Sequence, residues 1–229
     1  MMMAALERSP ERDAALRAML PHVAEHGWTV RAIRAGLASA GEDTAAAAFL
    51  FQGALDMVEA YLDLTDRRMV EAAAIAPAPA RLSERVRSLI ALRLQQAEPE
   101  REALRRATAL LALPMNAPAA GRAMARTVDA IWRAAGDQAA DFSWYTKRGT
   151  LAAVYGATLL NWLRRDTVAG SGDAQSLAFL DRRLGDVARL GKLQARLGAR
   201  LGALLPARLR EHRPTRATAP APDMPPVFG

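Results

Sequence analysis

Apolar side chains recur along this chain at steps of three and four residues, and each recurring run is cut by glycine or proline. Leu16, Met19, Leu20 and Val23 follow an i, i+3, i+4, i+7 pattern before Gly27, and Leu82, Val86, Leu89, Ile90 and Leu94 form one stripe after Pro77 and Pro79. That step matches the 3.6-residue turn of an α-helix rather than the two-residue repeat of a strand. No alternating apolar and polar run is long enough for a half-buried strand, and Ala, Leu and Arg prevail over β-branched and aromatic residues. The predicted fold class is all-α.

The breakers divide the chain. Residues 1–10 lack an apolar stripe and are expected to be a disordered N-terminus. A first helix is predicted from about Glu11 to His26, kinked by Pro21, which lacks a backbone donor. Thr29 can cap a second helix carrying Val30, Ile33 and Leu37, and Asp43 or Thr44 can cap a short third one. Residues 11–52 thus read as a helix-turn-helix-like head of three helices. The body, 53–190, opens with a long helix over about 53–74 bearing Leu55, Val58, Leu62 and Met69. Further helices are predicted after Pro79, from Pro99, through Met124, Val128, Ile131, Trp132 and Ala135 to Gly136, and from a cap at Asp141. Trp132 completes an apolar stripe and is assigned to the core. A ninth helix carries Leu177, Leu180, Leu184 and Val187. Residues 191–213 read as an amphipathic helix, and 214–229 as a Pro-rich disordered tail.

The absence of cysteine excludes disulfides, thiolate metal sites and a cysteine nucleophile. The formal net charge is +7, but about six of those charges fall from Arg189 onward, so the basicity belongs to the C-terminus. The opening carries Glu7, Glu11 and Asp13 and no apolar core, unlike a secretory signal or an acid-free transit peptide. No apolar run approaches the roughly 20 residues of a membrane-spanning helix. A cytoplasmic protein, peripheral at the inner face of the cell membrane, is expected.

A three-helix head on a larger helical body resembles the TetR family, whose third helix reads the DNA major groove. Here that stretch offers Glu42 and Asp43, then Ala45 to Ala48, with no Arg, Lys, Asn or Gln to meet phosphates or base edges. The expectation is a retained scaffold that binds no nucleic acid. The segments Asp129-Ala130-Ile131-Trp132, Ala135-Gly136-Asp137 and Asp141-Phe142-Ser143-Trp144-Tyr145-Thr146-Lys147-Arg148 are similar to the ninth Coq protein family. So are His26-Gly27-Trp28-Thr29, Leu113-Pro114 and Phe179-Leu180-Asp181 with Arg183, which together span nearly the whole chain.

That resemblance implies a TetR-like, non-catalytic, lipid-binding accessory of ubiquinone biosynthesis that needs no cofactor. It binds an isoprenoid quinone intermediate or phospholipid in a buried tunnel and docks the di-iron demethoxyubiquinone hydroxylase. A homodimer is implied by the TetR-like layout. Carried onto this sequence, the partner-binding residues are Asp141, Trp144, Tyr145, Lys147 and Arg148, and Arg148 could stack on Trp144 one turn away. By residue type alone, Trp144 and Tyr145 suit an interface or the body core equally. Leu151, Val154, Tyr155 and Leu159 are the expected lipid-binding residues, beside the small residues Ala152, Ala153, Gly156 and Ala157.

On a helical wheel Leu193, Leu197, Leu201, Leu204 and Leu205 share a sector flanked by Lys192, Arg196 and Arg200. This suits an interfacial membrane helix, with a bundle helix or dimer contact as the alternative. His22-Val23-Ala24-Glu25-His26 matches the H-x-x-E-H pattern of inverted zinc peptidases, but no third ligand is identifiable and Pro21 disturbs the helix, so no metal is expected. Phosphate loops, nucleophile elbows and paired Glu-x-x-His di-iron motifs are missing, so an enzyme reading lacks residues for chemistry.

Overall fold

In the computed structural model the described residues are 6–137, 143–164 and 174–189, those at 143–145 by their backbone alone. Every regular element among them is helical. The chain divides into two compact units, Met1–Gly185 and Asp186–Gly229; only 186–189 of the second are described.

The head begins with α1 (Pro10–Met19), capped by Ser9, whose hydroxyl accepts from Arg12 N. Pro21 acts where its missing donor requires: the α-helix tightens into a 3-10 turn over Leu20–His22 and resumes as α2 (Val23–His26). The single helix expected to His26 is therefore interrupted by a 3-10 turn. Helix α3 (Val30–Ala40) starts after Thr29, but the Thr29 hydroxyl donates back to His26 O and makes no cap bond. Gly41, at φ 74°, ends α3 by placing Glu42 N on Leu37 O, a left-handed turn that favours glycine. The expected third helix is a five-residue 3-10 turn, Thr44–Ala48, capped by Asp43. Residues 6–10, expected to be disordered, are placed: Arg8 grips Asp63 through two nitrogens at 2.7 and 2.9 Å.

Helix α1 crosses α3 at close range. A Cβ on Gly36 would sit 2.4 Å from Ala18 O, so only glycine fits that crossing. Leu16, Met19, Val23 and Ile33 fill the head's core.

The body is built on α4 (Ala54–Ile75), which packs against α5 (Leu82–Ala97), α6 (Arg101–Leu111) and α7 (Ala117–Ala134). Helix α8 (Ser143–Leu163) lies on α7, and α9 covers 174–189. Trp28 ties head to body: its ring meets Tyr61 at 5.1 Å between centroids, and its Nε1 donates to Ala103 O. Arg12 is a second tie, buried with Nη2 on Asp56 and Nη1 on Leu50 O. Val128, Ile131 and Ala135 are buried as the stripe predicts, but Trp132, assigned to the core, is only half-buried, whereas Trp162 is fully buried.

No described helix is long and apolar enough to cross a membrane. The expected membrane-binding residues Leu193, Arg196, Leu197, Arg200, Leu201, Leu204 and Leu205, and the tail 214–229, lie outside the described residues.

Candidate functional site: an apolar cavity beside a buried ion pair

Small side chains leave a gap where α6, α7 and α8 converge over α4 and α5. The result is a cavity of about 280 Å³, near the lower end of the sizes that hold small ligands. Its walls are Leu62 from α4, Leu104, Ala107 and Leu111 from α6, Ala120, Ala123 and Met124 from α7, and Gly156, Leu159 and Leu160 from α8. Leu160 is about half exposed, as is Leu113 just past α6, and Met115 is 80% exposed, so apolar side chains continue from this region to the surface.

The polar lining is Arg93, Tyr155, Thr127 and Thr108. Arg93 is 4% exposed, and its guanidinium is held on three sides. Nη2 faces Asp66 Oδ1 at 3.0 Å, Nη1 donates to Thr65 Oγ1 at 2.7 Å, and Nε donates to the Tyr155 hydroxyl at 2.8 Å. Thr127 donates to the second oxygen of Asp66 at 2.9 Å. Burial holds the Asp66 carboxyl above its ordinary range, and Arg93 and the Thr127 hydroxyl offset only part of that rise. Burial also works against the Arg93 charge, but Asp66 and Tyr155 more than offset it and hold the guanidinium protonated. A buried charge is tolerated only when paired and hydrogen-bonded, and this one is both.

Neither member of the pair belongs to a motif, but both break a pattern. Asp66 stands four residues after Leu62 and three before Met69 on the apolar stripe of α4, and Arg93 stands four after Leu89 and three after Ile90 on that of α5. A charge on a core-facing stripe is the available signal.

Of the expected lipid-binding residues, Tyr155 and Leu159 line the cavity, whereas Leu151 and Val154 are buried elsewhere and do not. Gly156 lines it among the small residues of α8.

Of the expected partner-binding residues, Asp141 and the side chains of Trp144 and Tyr145 lie outside the described residues, with 144 and 145 in the first turn of α8. Lys147 and Arg148 reach back within the chain: Lys147 Nζ is 3.5 Å from Asp137 Oδ1, and Arg148 Nε donates to Asp129 Oδ1. They brace the start of α8 on the end of α7.

A second, polar cleft of about 430 Å³ lies between α4 and α7, lined by Arg8, Arg67, Arg126 and Arg133 with Asp63, Asp66 and Glu71. Arg8 and Arg67 both pair with Asp63, and Arg126 with Glu59. In the H-x-x-E-H segment the His22 ring nitrogen lies 3.2 Å from Ser39 Oγ, and no three His, Asp or Glu residues among those described are placed to hold a metal ion.

Comparison with known proteins places this architecture. A COQ9 family profile matches residues 117–191, from the start of α7 through α9. The ubiquinone biosynthesis protein COQ9, mitochondrial, of Rattus norvegicus is 31% identical over 184 residues, which is 77% of this chain and 58% of that protein. The Homo sapiens protein of the same name is 31% identical over 77% of this chain and 57% of its own length. The probable ubiquinone biosynthesis protein coq9 of Dictyostelium discoideum is 28% identical over 81% and 62%. The chain thus spans less than two thirds of the length of these relatives. Among solved structures, the TetR transcriptional regulator from Nitrosomonas europaea superposes with a TM-score of 0.59 at 24% identity, covering 79% of this chain and 99% of that one. That likeness shows the fold alone, and it bears out the TetR-like architecture expected from the helix order. Built on that all-helical scaffold, the chain belongs to the COQ9 family.

Proposed function

We propose that this protein is a non-enzymatic lipid-binding accessory of ubiquinone biosynthesis, which takes up isoprenoid quinone intermediates at a membrane surface and presents them to the demethoxyubiquinone hydroxylase. The observation that carries the reading is the cavity between α6, α7 and α8: apolar walls, one polar wall whose Arg93 is paired with Asp66, and a size suited to the ring end of such a ligand. Relatives named as ubiquinone biosynthesis proteins support the pathway. Exposed Leu160, Leu113 and Met115 support entry from an apolar phase. The basic leucine segment 193–205 is the proposed membrane contact, the first turn of α8 the docking surface, and a homodimer the assembly. The DNA-binding alternative gains nothing here, since the element in the position of a recognition helix is a 3-10 turn of five residues, Thr44–Ala48, with no basic side chain.

Extraction of lipids from the purified protein followed by mass spectrometry tests this reading. Copurified polyprenyl quinones or phospholipid are expected. Lipid-free protein that also fails to take up quinone from vesicles would sink it.

A further inference from the structure

The threonine hydroxyls around the cavity can each be followed to the acceptor of the proton. Thr108 donates to Leu104 O at 2.8 Å, Thr65 to Leu62 O at 2.8 Å, and Thr127 to Asp66 at 2.9 Å. Tyr155 differs. Its oxygen accepts from Arg93 Nε, and its own proton meets no acceptor among the described residues. The residue is 4% exposed, so little of it is open to bulk solvent. A buried donor left without a partner is costly, and a donor whose oxygen accepts from a cation is strengthened. Burial raises the Tyr155 pKa, so the hydroxyl keeps its proton across the physiological range. The hydrogen bond between Arg93 and Tyr155 lies at the polar wall of a cavity that is otherwise apolar.

We infer that the Tyr155 hydroxyl, backed by Arg93, is the head-group determinant of this cavity: it donates to a ring carbonyl of the ligand and selects quinones over hydrocarbon lipids of equal shape. The inference rests on the lipid-binding reading above and adds to it the atom that reads the ligand. Arg93 itself acts through Tyr155, because Asp66, Thr65 and the Tyr155 oxygen already hold its guanidinium in place.

Two probes of matched shape separate the possibilities, 2-prenyl-1,4-benzoquinone and prenylbenzene, each titrated calorimetrically into the full chain. Wild type should prefer the quinone by about three- to tenfold, the worth of one buried hydrogen bond. Tyr155→Phe should abolish the preference while leaving prenylbenzene affinity unchanged. Thr108→Val, which removes a cavity hydroxyl already bonded to Leu104 O, should keep it. Equal binding of both probes to wild type, or a preference that survives in Tyr155→Phe, overturns the inference and leaves the lipid-binding reading intact. Failure of wild type to bind either probe overturns both. If Tyr155→Phe does not fold, the carbonyl stretch of labelled quinone bound to wild type reads the same contact. A shift to lower frequency supports the bond, and an unshifted band overturns it.

Discussion

Arg93 and Asp66 face each other at 3.0 Å with neither side chain more than a tenth exposed, and the pair joins α4 to α5 beneath the apolar cavity. Such a pair yields little net stability but is expensive to break. Asp66→Ala leaves a guanidinium buried without its counter-charge and is expected to lower unfolding free energy by about 3–5 kcal/mol. Asp66→Leu combined with Arg93→Met should lose far less. Urea denaturation of both variants checks this; a single substitution no more costly than the double would show that Asp66 is not the charge that keeps Arg93 buried.

Gly36 faces the backbone of Ala18, where a Cβ would come within 2.4 Å of the carbonyl oxygen. Neither backbone can rotate away as a side chain could, so Gly36→Ala must push α1 and α3 apart. A helix-interior glycine normally gains about 1 kcal/mol on replacement by alanine. Here the sign should reverse, with a loss of about 1–3 kcal/mol from overpacking. Thermal unfolding gives the sign directly.

Asp13 on α1 accepts two hydrogen bonds from Arg67 on α4, at 2.7 and 2.9 Å, and these hold its carboxyl below the ordinary range. A lowered folded pKa means stability that is complete above the unfolded value of about 4 and lost as pH falls through the folded one. Asp13→Asn should therefore lower Tm by a few degrees at pH 7, and the gap to wild type should close as pH drops below about 4. A gap independent of pH would assign the effect to packing.

Much of this architecture is legible in the chain because helical periodicity is a local property. The stripes through Leu16 to Val23, Leu82 to Leu94 and Val128 to Ala135 fix helices whose cores are as expected, and Pro21 announces its own interruption. Trp132 shows the limit. Its place on the stripe of α7 is regular, but how deep a stripe residue sits depends on which neighbour covers it, and Trp132 is only half-buried. The cavity is less legible still. It exists because Ala107, Ala120, Ala123 and Gly156 come from three different helices to one place, and no single stretch of sequence encodes that meeting. Asp66 and Arg93 do leave a mark, as charges on apolar stripes, but each needs the other to make sense.

Gly156 offers a way to close the cavity without disturbing its walls. A Cβ there would meet Met124 Cε at 3.5 Å, an ordinary contact, and φ is not in the left-handed region. Gly156→Ala should raise stability by about 1 kcal/mol through helix propensity. Gly156→Leu should fill the space, keep the fold and displace bound lipid. Mass spectrometry of the copurified lipid against unfolding temperature tests the pair. Lipid content unchanged in a stable Gly156→Leu protein would place the ligand elsewhere.

Arg148 and Asp129 are joined through Nε and Oδ1, and Lys147 approaches Asp137, so the basic end of the proposed docking motif also serves the fold. Arg148 is largely buried, with 17% of its side chain exposed. The two kinds of substitution should therefore separate. Arg148→Ala is expected to loosen the start of α8, lowering both stability and hydroxylase binding, and Asp129→Asn should lower stability by a similar amount with no further loss in the double variant. Trp144→Ala or Tyr145→Ala should weaken hydroxylase binding by about 2 kcal/mol or more with Tm and lipid content unchanged. Calorimetric Tm, lipid content and a pull-down with purified hydroxylase distinguish these outcomes. If Trp144→Ala lowers Tm as far as Arg148→Ala does, the first turn of α8 is a structural brace throughout, and the docking surface must be sought on another face.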